Sequence, residues 1–293
     1  MKNSTKQKLV LLGFGIFFIV AISLLIFDRI NTIFNVTAQT EVISCYTDQK
    51  PSSRINLFAA DIYTIEDEIA KSFEGSIELS DSVNIKMERI SNGPLLIEIE
   101  RVTGGVVAKL RSFNERKKTP ILVHDLIFIE ISKIDSLLDN NASIVIPITG
   151  HIKLGNSIDI ESDNEYSLLL RAGDITMTGV TSLFNSHFVA GNEKLYLGDQ
   201  LIFDDKNSIG IATINEQPAI QVSYRGIDKH ARILKPGPKD FKSGYQISAS
   251  IFSRFKYDNS FQIGSIIIAL LISTITILDF YYNHIKKQKK NKR

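Results

Sequence analysis

Two apolar runs bracket this chain and constrain it more than anything between them. Leu9 to Phe27 holds 19 consecutive residues without a charge, LVLLGFGIFFIVAISLLIF. Asn259 to Leu278 holds another 20, with the core IGSIIIALLISTITIL. Wound as a helix at about 1.5 Å per residue, each run comes close to the roughly 30 Å of a bilayer's hydrocarbon core. A core helix of a soluble domain rarely stays apolar on every side for that length. The first run has a rival reading as a cleaved signal, with Val36-Thr37-Ala38 as a small-residue cleavage site. It is longer than the roughly 7–15 residues of a signal core, and Asp28-Arg29 separates it from that site, so it reads as an uncleaved anchor.

The flanks set the orientation. Lys2, Lys6 and Lys8 precede the first run. Lys286, Lys287, Lys289, Lys290, Lys292 and Arg293 follow the second, beyond Tyr281 and Tyr282, which suit a membrane interface. Basic flanks stay on the cytoplasmic side, so both ends are expected in the cytoplasm of a cell with the chain in its inner (plasma) membrane. The C-terminal basic cluster also reads as a contact for anionic lipid headgroups. Charge elsewhere agrees but decides little. The ends hold nine of the 34 basic residues and one of the 32 acidic ones, leaving the middle net acidic.

The expected organisation is a stub (1–8), a first span (9–27), an extracytoplasmic α/β part (28–115), an extracytoplasmic β-rich part (116–258), a second span (259–282) and a basic tail (283–293). The fold class is a membrane protein with two terminal transmembrane helices. They flank a large, mainly-β extracytoplasmic domain of sandwich, jelly-roll or barrel type with one or two short helices. Short alternating runs carry the β reading: Ser143 to Ile148, Lys194 to Leu197, Gln200 to Phe203 and Ala219 to Tyr224. Turn signals separate them at Gly150, Gly155-Asn156, Asp163-Asn164, Gly173-Asp174, Gly191-Asn192, Asp204-Asp205, Gly226 and Pro236-Gly237-Pro238. Two helices are expected. Phe58, Ile62, Ile65, Ile69 and Phe73 fall at helical spacing, and Leu126, Ile127, Ile131, Ile134 and Leu138 form a second stripe. A boundary is expected near residues 112–120, SFNERKKTP.

Motifs for chemistry are sparse. The histidines, His124, His151, His187, His230 and His284, show no tight ligand spacing. There is no G-x-S-x-G elbow, no phosphate loop and no spaced calcium loop, so no cofactor is expected. The single cysteine, Cys45, excludes an internal disulfide framework. A net charge of +2 argues against a nucleic-acid partner. The second run carries Ser265, Ala269 and Ser273 four apart, a spacing that lets helices approach closely.

These features point to a non-enzymatic scaffold or interaction subunit of a membrane complex. Its partners are the bilayer and another membrane or envelope protein, or a second copy of itself. The alternatives are an extracytoplasmic lipid- or glycan-binding or sensor module, and an anchored hydrolase built on a Ser/Lys or Ser/His pair.

Overall fold

The computed structural model describes residues 32–47, 54–64, 67–113, 119–132, 144–156, 168–180, 187–203, 209–215, 217–236, 244–257 and 259–291. They fall into two units. The larger is Asn31–Thr178 with Gly191–Ser248; the smaller includes Gly179–Ala190 and Ala249–Arg293.

The chain is mainly β-sheet. Its strands are β1 (Thr32–Thr40), β2 (Val42–Thr47), β3 (Arg54–Thr64), β4 (Asp67–Leu79), β5 (Val83–Glu88), β6 (Leu95–Arg101), β7 (Val106–Ser112), β8 (Ile121–His124), β9 (Leu126–Ile131), β10 (Ile144–Thr149), β11 (His151–Leu154), β12 (Leu170–Val180), β13 (His187–Leu195), β14 (Gln200–Phe203), β15 (Ile209–Ile214), β16 (Ile220–Asp228), β17 (Ala231–Leu234) and β18 (Gly244–Ile247). A six-stranded sheet has the order β10-β15-β16-β1-β12-β13, and a twelve-stranded sheet β18-β17-β14-β11-β2-β5-β6-β9-β3-β4-β7-β8. The second is antiparallel throughout.

Alternation builds both sheets. In β5 and β6, Val83, Ile85, Met87, Leu95, Ile97 and Ile99 point inward, and the residues between them are polar or partly exposed. The chain crosses between sheets at tight corners. One residue, Glu41, separates β1 from β2, and Gly150, at φ 84°, separates β10 from β11. Strands that change sheets at such bends tie two layers together. Between the layers, the ring of Phe203 (β14) meets Phe34 (β1) edge-on at 5.4 Å and Tyr224 (β16) at 4.9 Å. At the edge of the smaller sheet, β10 carries Pro147, which blunts pairing with another chain.

The far end of the larger sheet returns on itself. β8 and β9 are one segment bent at Asp125, whose φ is 61°. β8 pairs with β7 and β9 pairs with β3, so the succession β9-β3-β4-β7-β8 closes through a single residue. The Asp125 carboxylate accepts the Gly105 amide at 2.9 Å, and its own amide bonds the Gly105 carbonyl, fixing the corner.

Both expected helices are corrected here. Residues 54–64 and 67–79 are the paired strands β3 and β4. Two register shifts, between Leu57 and Ala60 and between Ile62 and Thr64, break their alternation. The first shift moves the next described buried position after Leu57 to Ala60, three residues on, and so breaks the two-residue period that would mark a strand. Residues 126–131 are β9, while Ile134 and Leu138 lie outside the described residues. The expected boundary near 112–120 falls between β7 and β8, which pair with each other. GHIKLG (150–155) and GDITMTG (173–179), a resemblance that would hint at stacked repeats, lie in different sheets.

The smaller unit holds α1 (Ile251–Tyr257) and α2 (Asn259–Asn291). Ser250 caps α1: its Oγ accepts the Ser253 amide at 3.1 Å. Of the two expected spans, the run 259–278 lies within α2, and the run 9–27 lies outside the described residues.

Candidate functional site

The outer face of the twelve-stranded sheet carries an open groove of about 500 Å³. Strand register places its residues in rows across the sheet. One row runs Ile202, Lys153, Ser44, Lys86, Glu98, Phe128, Tyr63 over seven strands. The row beside it runs His151, Tyr46, Asn84, Glu100, Leu126. At about 4.8 Å per strand, the longer row spans about 29 Å. The rings of Tyr46 and His151, on paired strands, lie 6.2 Å apart with their planes tilted by 32°, and form an aromatic platform at one end. A smaller hollow of about 140 Å³ adjoins the first through Lys86 and Glu98 and is lined by Phe128, Tyr63, Leu96 and Glu130. Desolvation and the charges of Glu130 and Asp61 push the Tyr63 phenol above its ordinary range. Lys86 pairs with Glu88 on its own strand.

Two other polar clusters are anchors of the fold. Arg89 is buried, and its Nη1 donates to the carbonyls of Asn215, Gln217 and Ala219 at 3.2, 3.1 and 2.9 Å. Its Nε donates to the Gly93 carbonyl at 3.3 Å. Asp199 is buried and binds the Lys235 ammonium at 2.7 Å and the Tyr196 amide at 2.9 Å. The ammonium also sits 5.2 Å from the Tyr196 ring and 5.6 Å from the Tyr245 ring. Desolvation and a hydrogen bond to Glu193 push the Tyr245 phenol well up.

The residues singled out in the sequence disperse. His151 joins the groove; His124 and His187 are exposed and His230 is half-buried, elsewhere on the strands and loops. Among the described residues, no three of His, Cys, Asp and Glu gather as a metal site. Asp204-Asp205 and the basic run 116–118 lie outside the described residues. Ser265, Ala269 and Ser273 share one stripe of α2, where Ser265 is half-buried and the other two are exposed. Lys286, Lys287, Lys289 and Lys290 fall in α2, and Lys292 and Arg293 lie beyond the described residues.

Cys45 is buried on β2, and desolvation pushes its thiol from 9.0 up to about 12. A thiol held neutral by the fold gives the unfolded chain, which ionises first, an advantage as pH rises. Stability from this group is therefore present below pH 9.0 and is lost between there and about pH 12. Iodoacetamide is expected to leave Cys45 unmodified in the folded protein and to alkylate it in urea. Urea titrations from pH 9.0 upward should lose less stability in Cys45→Ala than in the parent.

The second run also has a definite place. Along α2, Ile263, Ile266, Ile267, Leu270, Leu271, Ile272, Ile277 and Leu278 are all exposed. At 3.6 residues per turn all but Ile272 fall on one broad face of the helix, and Ile272 lies on the opposite side. Ser273, Thr274 and Thr276 each donate their hydroxyl to the carbonyl four residues back, at 2.8, 2.8 and 2.9 Å. The described side chains run unbroken and uncharged only from Gln262 to Leu278. Counted over described residues alone, no helix is long and apolar enough to cross a membrane.

No family model matches the chain, and no curated protein matches it. One solved structure, of an HCR/D mutant, was found at 7% identity, covering 69% of this chain and 80% of that one. Its TM-score of 0.09 is too low to carry an argument about fold or function.

Proposed function

We propose that this chain is a two-pass, membrane-anchored interaction subunit, fixed by the runs 9–27 and 259–278, with its β-body on the extracytoplasmic side. The observation that carries this reading is the exposure of eight isoleucine and leucine side chains along α2, on a broad face and, at Ile272, on the side opposite it. Water disfavours such a surface, and lipid removes the cost. The full uncharged run of 20 residues gives about 30 Å of helix. The hydroxyls bonded within the helix support the same reading, because hydrocarbon offers them no other partner. Ser265, Ala269 and Ser273 then form the stripe on which a second span, a second copy or a membrane partner rests. The basic tail stays at the cytoplasmic headgroups.

The test is alkaline carbonate extraction of membranes from cells making the full chain, followed by mild-detergent purification. The protein is expected to stay with the membrane and to bring a stoichiometric membrane partner or a second copy. Combined Ser265→Leu, Ala269→Leu and Ser273→Leu should reduce that partner about tenfold. Release of the intact chain into the carbonate supernatant would falsify the anchoring. Recovery of a lone monomer in the membrane fraction would remove the interaction role.

A second reading, an extracytoplasmic ligand-binding module, is favoured by the groove across the twelve-stranded sheet.

A further inference from the structure

We infer that the groove on the twelve-stranded sheet binds a neutral, polyhydroxylated chain, an oligosaccharide segment, laid across the strands from the Tyr46–His151 platform toward Phe128 and Tyr63. The inference rests on the second reading above and is independent of the membrane placement, because every residue it uses lies in the β-body.

Charge selects the ligand class. The larger hollow carries Lys86 and Lys153 with Glu98 and Glu100, and the smaller adds Glu130 and Glu88, the partner of Lys86, so both signs line the groove with carboxylates in excess. In the long row, Lys86 sits directly opposite Glu98. A polyanion would meet four carboxylates, and a polycation would meet two ammonium groups. A neutral ligand rich in hydroxyls uses both signs, since a hydroxyl donates to a carboxylate and accepts from an ammonium. Ser44 and Asn84 add further polar groups between them.

The rings supply the remaining contact. A sugar presents an apolar C–H face and polar edges. The half-buried Tyr46 ring beside His151 is a flat, amphipathic surface of the kind that such a face covers. Phe128, exposed at 44%, offers a second ring three strands away, about 14 Å along the sheet. Between the two rings stand the charged pairs. Ring, polar stretch, ring suits an extended chain of several units. A lipid tail would need a continuous apolar floor, which Lys86, Glu98 and Lys153 interrupt.

The experiment uses the full chain in a detergent without a sugar headgroup. Maltohexaose, cellohexaose and N-acetylchitohexaose are titrated by calorimetry and by saturation-transfer NMR. At least one is expected to bind, with an affinity that does not change with ionic strength. Tyr46→Ala should weaken it about tenfold and Phe128→Ala about threefold, with the melting midpoint checked for each variant. Lys153→Ala, an exposed change, gives a further variant should Tyr46→Ala fail to fold, and it should also weaken binding. Three outcomes would overturn the inference: no hexasaccharide binds, binding survives all three substitutions, or binding falls steeply with salt. Tyr46-dependent binding to vesicles of anionic lipid, with no saccharide bound, would also overturn it and assign the groove to headgroups. None of these outcomes bears on carbonate extraction, so the anchoring stands or falls separately.

Discussion

Replacing Arg89 with Met is expected to lower the unfolding free energy of the β-body by about 2–4 kcal/mol. The guanidinium donates to the carbonyls of Asn215, Gln217 and Ala219 and so ties the three together. Removing it strands the buried Ala219 carbonyl and the partly buried carbonyls of Asn215 and Gln217 in a site that methionine fills without a donor. The loops it joins are themselves strained. Ser91 and Ala219 have φ of 52° and 65°, and the Ala219 amide donates to the Ser91 carbonyl at 2.7 Å. Non-glycine residues in the left-handed region cost on the order of 1 kcal/mol each and persist only where their surroundings hold them. Urea unfolding should show a lower midpoint with an unchanged slope. Arg89→Lys should recover only part of the loss, because an ammonium on a flexible stem cannot present a planar fork to several carbonyls. A shift below about 1 kcal/mol in Arg89→Met would show that these loops hold themselves without the side chain.

Phe203→Ala should cost as much or more, 3–5 kcal/mol on the order of other buried Phe truncations. Phe203 is 1% exposed, and its ring stands between Phe34 and Tyr224, on strands of the opposite sheet. Losing it opens a void between the layers where no neighbour on either sheet fills the space. The two rings also couple. Phe34→Ala combined with Phe203→Ala should cost less than the two single changes added, by about 0.5–1.5 kcal/mol. Phe128→Ala, on the outer face, should stay within about 0.5 kcal/mol of the parent. That contrast separates residues that hold the layers from residues that face the groove, and thermal melts of the four variants read it directly.

Much of the β architecture is legible in the sequence because inward apolar and outward polar positions alternate. Ser143 to Ile148 anticipates β10, Gln200 to Phe203 is β14, and Ala219 to Tyr224 opens β16. Gly150 and Gly155 mark turns, with φ of 84° and 75°. Other glycines mislead. Gly173, Gly191 and Gly226 lie inside strands, not between them. A Cβ on Gly173 would come within 2.9 Å of the Ala38 Cβ, so this glycine permits a close approach instead of a turn. Lys194 to Leu197 reads as a strand, but β13 ends at Leu195 and Tyr196 and Leu197 lead into the turn at Gly198. The helix expected over 58–73 shows a different limit. Bulges have no residue signature of their own, and only the partner strand reveals that the spacing is two-fold with an insertion. The groove was not legible for a topological reason. Ser44, Lys86, Glu98 and Lys153 each look like an ordinary outward polar residue, and only the strand order β11-β2-β5-β6 makes them neighbours.

The pairing of β1 with β16 has a consequence for how the chain reaches its native state. Thr32 lies opposite Asp228, and Thr40 opposite Ile220. The first strand of the body thus finds its neighbours, β12 and β16, only after most of the other strands exist. Loop-closure entropy must be met before that ladder forms, and such long-range pairing makes folding slow. During synthesis β1 emerges early and stands as an unpaired edge rich in buried-type residues, Ile33, Phe34, Val36 and Ala38. An exposed edge of that composition is prone to join other chains. A tether close upstream of β1 and another close downstream of β18 would hold the two ends of the body near each other and shorten that search. Anchoring at both ends would in this way guide folding as well as position the mature domain.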